Sequence, residues 1–441
     1  MKLTLGIILC AIAILCLWKA FDRDAHLIKM GTQDLRNRIV GARMQKDGKV
    51  PYFYKWNPGD GLRYYDPANF DTLSVANITA TPFYHMLLYP IADFQHSAIK
   101  KIWLCLQYVL LILMVALCVR LTNVLVNKLL IISTAIAFLF TEAWINLIVS
   151  GQLYLAIPFL FLLFFYCFRK VDKSFFAFIT GLIFIVLVLI RLNSIVAFCP
   201  FILLIKHYSG KQRILFFLPV VVILSCIFFS SSQRNLWISY GKSVEEQVKY
   251  HSSQHVLSQA NATDPMFKEW EGMNMDDIKR EEEIYGYKNY SENGNFFVLV
   301  DNIFHKRLSP AFLFRSSFVL ILIALTIFAW YTRKWDAIPI IHISIFGYCL
   351  YMISDLFSPV HRHQYYTVQW LMPLLVSGII FSSKKWLLYT LIFAGLVLNI
   401  INVPAILMEH TMGEYIWLAA FMLLSFTFSA IDTGNKKWSA N

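Results

Sequence analysis

Long apolar blocks alternate with short polar stretches along most of the chain. Two examples are IWLCLQYVLLILMVALCV (102–119) and FLFLLFFYCF (159–168). Apolar runs of about 20 residues match the hydrocarbon core of a bilayer, which is about 30 Å thick. The pattern therefore predicts an all-α polytopic membrane protein with about twelve transmembrane helices. The predicted spans are 4–20, 102–119, 129–149, 152–168, 174–190, 194–206, 213–230, 311–331, 337–354, 366–382, 386–404 and 414–430.

Composition agrees with a membrane protein. Of the 441 residues, 58% are hydrophobic and only 15% are charged, whereas about 25% of the residues of a soluble domain are charged. The formal net charge is +12, but basic residues commonly flank membrane spans and set topology, so we expect no nucleic-acid partner. The eight cysteines lie within or at the ends of apolar runs, which is typical of small buried side chains rather than of disulfides or a zinc site.

The placement of lysine and arginine predicts how the chain is threaded. If the spans alternate from a cytoplasmic N-terminus, every short loop on the cytoplasmic side is basic, as the positive-inside rule requires. Both termini then lie in the cytoplasm, and the two long loops, 21–101 and 231–310, lie outside. We therefore predict a single integral membrane domain, 1–441, with two outer loops.

Both outer loops contain helix-like segments. In the first, TQDLRNRIVGARMQKDGKVPYFYKW (32–56) has the spacing of an amphipathic helix, which Gly48 and Pro51 would end. In the second, SVEEQVKYHSSQHVL (243–257) and MDDIKREEEIYGY (275–287) are charged and predict surface helices. We expect the second loop to cover the outer face.

Polar residues that would be costly in hydrocarbon collect on the outer face. They are Asp34 in the first outer loop, Glu142 late in the third span, Arg191 between the fifth and sixth spans, and His361, Arg362 and His363 between the ninth and tenth. Separate pieces of chain thus bring acids, bases and cations to one membrane surface. The inner face carries only the lysines and arginines expected from topology.

Each candidate also has a purely structural interpretation. Asp34 is placed to cap a helix, and Arg191 to extend from the membrane edge toward water. The run 361–363 would suit a solvated turn, and Glu142 a hydrogen bond to an adjacent helix. Gln152 would suit a helix start, and Tyr365 an interfacial aromatic. The residues themselves leave both interpretations open.

Four short motifs, taken in order, resemble glycosyltransferase family 87 of the GT-C superfamily, the polyprenol-phosphate-mannose-dependent mannosyltransferases. They are Asp34 followed by Gly48-Lys-Val-Pro51-Tyr52, the pair Gly151-Gln152 after the third span, the basic residue Arg191 at the end of the fifth span, and Ser358-Pro359 followed by His361 and His363. The family commonly has a tryptophan between the Ser-Pro pair and its histidine. This chain lacks it, so either histidine is a candidate.

The resemblance implies an inverting glycosyltransferase of the cell envelope. It would move a mannose-like hexose from a polyprenyl-phosphate donor to a glycan or glycolipid acceptor on the periplasmic or extracellular face of a bacterial inner or plasma membrane. Asp34 would be the general base. Arg191, His361, Arg362 and His363 would bind the donor phosphate, and Glu142, Gln152 and Tyr365 would bind substrate. The leaving phosphate departs already ionised, so we expect neither a cofactor nor a metal.

Two other functions fit parts of the pattern. A glycan ligase or polymerase of the O-antigen type also has long outer loops with arginine and histidine. Loss of activity without Asp34 is expected of a polyprenyl-phosphate-sugar transferase and would distinguish it from such a ligase. A transporter is disfavoured, because transporters place polar sites near the bilayer midplane between two related halves. The sequence does not give the sugar, the acceptor or the oligomeric state.

Overall fold

A computed structural model describes most of the chain. The described residues are 2–30, 32–54, 56, 58–65, 78–201, 208–253, 295–296, 300, 304, 308–333, 338–358, 362–401 and 409–427. They form helices and connecting turns, and within these ranges there is no β-strand. The all-α prediction is confirmed for this part of the chain.

Most apolar blocks form α-helices, and three further α-helices of the described residues, the second, third and tenth in chain order, lie in the two predicted outer loops. The α-helices are α1 (Lys2–Leu27), α2 (Gln33–Lys46), α3 (Pro82–Leu88), α4 (His96–Arg120), α5 (Leu125–Phe138), α6 (Glu142–Ser150), α7 (Ala156–Phe168), α8 (Ser174–Ile190), α9 (Gly210–Phe229), α10 (Ser231–Ser253), α11 (Pro310–Thr332), α12 (Ile340–Leu356), α13 (Leu371–Ile379), α14 (Trp386–Leu398) and α15 (Glu409–Phe426). Short 3₁₀ helices are Ile28–Met30, Pro58–Asp60, Leu62–Tyr64, Leu192–Phe198, Gln364–Trp370 and Ser383–Lys385.

Several helices are apolar enough to lie in a membrane. Among the described residues, α4, α9 and essentially all of α11 are each long and apolar enough to cross it alone. α5 and α6 pass the same test together, although they are bent by 56°. Shorter apolar helices include α7, α8 and α12. A membrane protein is therefore supported, while the number of twelve crossings stays a prediction.

The predicted third span, 129–149, is not one continuous helix. Helix α5 ends at Phe138, and α6 begins at Glu142 after a 56° bend. Thr141 caps the new helix, because its hydroxyl oxygen accepts a hydrogen bond from the Trp144 amide at 3.2 Å. Threonine at an N-cap satisfies a backbone donor that the helix leaves unpaired. Thr141 and Glu142 mark the break in the sequence, but the apolar residues on both sides favoured a single span.

The centre of the molecule is an aromatic core around α7 and α12. The Phe161 ring lies 5.2 Å from that of Phe198 and 5.0 Å from that of Tyr348. A Cβ added at Gly347 would lie 2.2 Å from the Ala197 carbonyl oxygen. The absence of a side chain at residue 347 thus lets α12 approach the 3₁₀ helix after α8.

Helices α9 and α11 expose most of their apolar surface. Only 11% of the apolar window of α9 and 22% of that of α11 are buried. α9 packs against α8, and α11 packs against α12. Large exposed side chains such as Phe229 on α9 and Phe318 on α11 suit a hydrocarbon surrounding better than water.

The first outer loop folds back over the helix ends. α2 ends at Lys46, and Gly48 follows with φ +74°, which confirms the predicted helix stop. Arg63 then joins Asp47 at 2.7 Å to Asp93 at 3.1 Å. The hydrogen bonds from Arg63 lower the pKa of Asp47 to about 2. These contacts fasten the segment after α2 to the segment before α4.

The second outer loop contacts the first. α10 begins the loop and contains the start of the predicted surface helix 243–257. Its Tyr240 ring packs 5.7 Å from that of Tyr52. This contact agrees with a loop that covers the outer face. The other predicted helix, 275–287, lies outside the described residues.

Candidate active site

The Asp34 carboxylate lies in the first turn of α2 and meets the side chain of Gln152. The Gln152 amide donates a hydrogen bond to Asp34 Oδ2 and another, at 3.2 Å, to the Tyr365 hydroxyl. The other oxygen of Asp34, Oδ1, accepts no hydrogen bond from the described residues. Asp34 is only half-buried. One carboxylate oxygen is therefore held and the other is available.

Asp34 does not cap its helix. The N-cap residue of α2 is Thr32, which has a left-handed φ of 59° and makes no side-chain capping bond. Asp34 follows inside the first turn, where a negative charge is favourable to the helix dipole. The structural interpretation of Asp34 as a cap is therefore wrong. Its role in catalysis stays a prediction.

The Gly151-Gln152 pair has a clear physical account. Gly151 ends α6 in the left-handed region, with φ +72°. A Cβ at this position would lie 2.6 Å from the Leu35 Cβ atom, so the two helices approach each other only because residue 151 is glycine. The Thr32 amide also donates to the Val149 carbonyl at 2.9 Å. Together these contacts bring Gln152 to Asp34.

Three tyrosines form a layer beside Gln152. The Tyr154 ring lies 5.4 Å from that of Tyr365 and 4.3 Å from that of Tyr366. The His363 ring stacks on Tyr365 at 5.0 Å. Rings at these spacings support each other by packing. The layer thus presents aromatic faces and hydroxyl groups next to the predicted base.

Arg191 completes a continuous set of contacts. It caps the C-terminal end of α8 with extended backbone, and its guanidinium lies 5.1 Å from the Tyr154 ring centre and 4.9 Å from that of Tyr366. Its Nη1 donates to the Tyr154 hydroxyl at 2.9 Å, and its Nη2 pairs with Asp355. The predicted base and the predicted phosphate ligand are thus connected through Gln152, Tyr365 and Tyr154.

Arg362 lies in a different environment. Its Nε donates to Asp355 at 2.8 Å, and its two terminal nitrogens each donate to one oxygen of Glu414 at 2.6 Å. Its side chain is only 2% exposed. A buried guanidinium held by two carboxylates is positioned to stabilise the fold. This geometry favours a structural role for Arg362 over the predicted contact with the donor phosphate.

Asp355 and Glu414 were missed by the sequence reasoning. Asp355 ends α12, and Glu414 lies early in α15, where Thr367 and Trp370 also donate to it at 2.6 and 2.7 Å. A signal was present, because an acid inside or beside an apolar run requires a partner. The sequence did not identify that partner, since Glu414 and Arg362 lie 52 residues apart along the chain.

The structure describes one of the two candidate histidines. His361 lies outside the described residues. His363 is half-buried and stacks on Tyr365, so it belongs to the tyrosine layer. Whether either histidine binds phosphate stays a prediction.

Glu142 lies away from this cluster. It begins α6, whereas Gln152 follows the end of the same helix, and eight residues of α-helix span about 12 Å. Its backbone amide donates to the Asn399 carbonyl at 3.2 Å. The preceding turn is held by Arg23, which donates to the Leu139 carbonyl at 2.8 Å. The structure therefore does not bring Glu142 to Asp34.

No candidate metal centre is found in the described part of the chain. There, no group of three or more histidine, cysteine, aspartate or glutamate side chains is arranged to hold a metal ion. The described cysteines, such as Cys118 and Cys349, are free.

Comparison with known proteins places this site in context. A family model described as glycosyltransferase family 87 matches residues 79–351, which is more than half of the chain. The matched range includes Gln152 and Arg191 and begins after Asp34. No curated protein and no solved structure matches the chain.

Proposed function

Because the chain belongs to glycosyltransferase family 87, and is therefore a glycosyltransferase, we propose that it transfers a mannose-like hexose from a polyprenyl-phosphate donor. The acceptor is a glycan or glycolipid. The reaction takes place on the outer face of a bacterial inner or plasma membrane, with both termini in the cytoplasm. The exposed apolar faces of α9 and α11 support a protein surrounded by lipid.

The observation that carries this proposal is the unbroken set of contacts from Asp34 to Arg191. A glycosyl transfer needs a base for the acceptor hydroxyl and positive charge for the leaving phosphate. Asp34 and Arg191 supply these two groups, and Gln152, Tyr365 and Tyr154 join them. The two helices that bring them together, α2 and α8, are far apart along the chain.

The reaction is a single displacement. Asp34 Oδ1 accepts the proton of the acceptor hydroxyl as the hydroxyl oxygen attacks the anomeric carbon. The bond between that carbon and the phosphate oxygen breaks, and its electron pair leaves with the polyprenyl phosphate. Attack from the face opposite the phosphate inverts the anomeric configuration. Gln152 holds Asp34 Oδ2 and so fixes the direction in which Oδ1 points.

The developing negative charge of the phosphate is met by Arg191. This side chain is 19% exposed, unlike the buried Arg362. Both arginines share Asp355, so the charge of this carboxylate is divided between them. The half-buried His363 and Tyr366 are suited to the sugar ring and its hydroxyls, and the buried Tyr365 ring packs against both.

The donor class is tested in membranes that express the full chain. Radiolabelled sugars are supplied either on a polyprenyl phosphate or on a nucleotide, and transfer to endogenous acceptors is counted. The proposal predicts transfer from a polyprenyl-phosphate monosaccharide and none from the nucleotide sugar when lipid-phosphate synthesis is blocked. Transfer only of preassembled, diphosphate-linked glycans would instead support a ligase.

A further inference from the structure

We propose that Arg38, which no sequence motif singled out, is a second ligand of the donor phosphate. The proposal rests on the proposed lipid-phosphate donor and adds a residue to the same site. It is argued from the position of Arg38 on α2, from its hydrogen-bond partner and from its helical spacing to Asp34.

Arg38 lies one helical turn after Asp34 on the same face of α2. It lies within electrostatic range of Asp34 and of the hydroxyl groups of Tyr84, Tyr154 and Tyr365. Tyr154 is also the residue to which Arg191 donates at 2.9 Å. The charges of two arginines, Arg38 on α2 and Arg191 at the end of α8, therefore both act on the hydroxyl of this tyrosine.

The partners of Arg38 set it apart from the other arginines of the site. Arg191 and Arg362 are both paired with carboxylates, through Asp355 and Glu414. Arg38 donates to the neutral side-chain oxygen of Asn37 at 2.9 Å, and within the described ranges no carboxylate lies at ion-pair distance from it. A phosphate can therefore bind Arg38 without displacing a buried carboxylate.

His85 does not compete for this role. Its ring packs directly on α2, since a Cβ at Gly41 would lie 2.4 Å from its Nε2. Burial, together with the charge of Arg38, lowers the pKa of His85 to about 3. The imidazole is consequently neutral near pH 7, and Arg38 provides the positive charge at this position.

The spacing on α2 suits a displacement reaction. Residues four apart on a helix have Cβ atoms about 5–6 Å apart. A base lies about 3 Å from the hydroxyl it deprotonates, and the reacting atoms lie about 3–3.5 Å apart. These two distances, with the bond between the anomeric carbon and the leaving oxygen added in line, separate the base from the leaving oxygen by roughly 7–9 Å. This separation is larger than the Cβ spacing on the helix, and the long side chain of Arg38 covers the remaining distance. Helix α2 thus presents the base and a phosphate ligand together.

Binding of a short donor analogue tests the assignment without any assumption about sugar or acceptor. Purified full-length protein in detergent is titrated with geranyl phosphate and with geraniol, and the ratio of the two dissociation constants measures phosphate recognition. Wild type is expected to prefer the phosphate. Arg38→Gln should reduce this preference by about tenfold or more, since a hydrogen bond to a charged group contributes at least that factor. Arg38→Lys, which loses the planar fork, should reduce it by less.

Lys46→Ala is the matched control, because it removes an exposed cation from the same helix. Its preference for geranyl phosphate should equal that of wild type, and melting curves confirm that each variant is folded. An unchanged preference in folded Arg38→Gln would overturn the role of Arg38 while leaving the proposed donor intact. A wild-type protein that binds geraniol as tightly as geranyl phosphate would overturn both.

Discussion

The Asp34 carboxylate accepts its hydrogen bond from a neutral amide, while the Arg38 cation acts on it from beyond ion-pair distance. Gln152 donates to one of its oxygens, and the described part of the chain gives no partner to the other. A direct ion pair would stabilise the charged carboxylate and weaken it as a base. The amide orients Asp34 without adding charge, which is the arrangement that a general base requires.

Replacing this amide by a carboxylate tests the contact at the residue scale. Gln152→Glu keeps the length of the side chain but places a second negative charge beside Asp34. Like charges at this distance resist ionisation together. We expect a lower rate near neutral pH and an acidic limb of the pH–rate profile that moves to higher pH. Gln152→Ala removes a hydrogen bond from the carboxylate but adds no charge, so it should lower the rate and move the limb by less. Equal shifts of the limb in both variants would contradict this account.

Individual residues differ in how far the sequence revealed them. Asp34, Gln152, Arg191 and Tyr365 were predicted as site residues, and the structure brings them into one set of contacts. The carboxylates that hold the arginines were not predicted. Pairing between Arg191 and Asp355 depends on how distant helices pack, and 164 residues separate the two along the chain.

At the scale of elements, the end of α6 determines the position of the site. Gly151 allows the chain to turn sharply and lets α2 lie against the turn. The sequence showed the Gly-Gln pair and the limits of α2, because glycine and proline mark helix ends. The break of the predicted third span before α6 was missed, although Thr141 and Glu142 mark it, because apolar residues flank the pair on both sides.

Alanine at position 151 should disturb both the fold and the site. Gly151→Ala places a Cβ 2.6 Å from Leu35 and requires φ +72° from a residue that disfavours it. The conformational cost alone is about 1–3 kcal/mol, and the clash should displace α2 and lower the transfer rate. Thermal unfolding in detergent and transfer assays measure the two effects.

Gly48→Ala is the control for this prediction. Gly48 has nearly the same φ, +74°, but a Cβ there would meet nothing within 4 Å. Gly48→Ala should therefore lose stability by the conformational cost alone. The folded variant should transfer sugar at the wild-type rate. Equal rates in folded Gly151→Ala and Gly48→Ala would show that the approach of α2 to α6 does not position the base.

At the scale of the whole molecule, a buried ionic network joins helices that are distant along the chain. Asp355 at the end of α12, Arg362 in the following segment and Glu414 in α15 are all at most 2% exposed. Removing one partner from a buried ion pair costs about 3–5 kcal/mol, because the other charge is left uncompensated. Glu414→Gln should therefore lower the melting temperature strongly.

The control for Glu414→Gln is Glu245→Gln on the exposed surface of α10. A surface substitution of this kind changes stability by about 0.5 kcal/mol or less. Replacing the pair together, as in Arg362→Met with Glu414→Leu, should recover much of the lost stability, since well-packed apolar residues often replace buried ion pairs without loss. A Glu414→Gln protein with the melting temperature of wild type would contradict the structural role given to Arg362.

The measurement that tests the account most directly is sugar transfer by the Asp34→Asn variant. Asparagine keeps the shape of Asp34 but cannot take the proton of the acceptor hydroxyl. General base catalysis contributes about 10²–10⁴-fold, so we expect transfer from the polyprenyl-phosphate donor to fall by this factor in a protein that melts like wild type. Asp93→Asn, in the same outer loop but exposed, should transfer at the normal rate. A folded Asp34→Asn protein with the wild-type rate would contradict the assignment of Asp34 as the base.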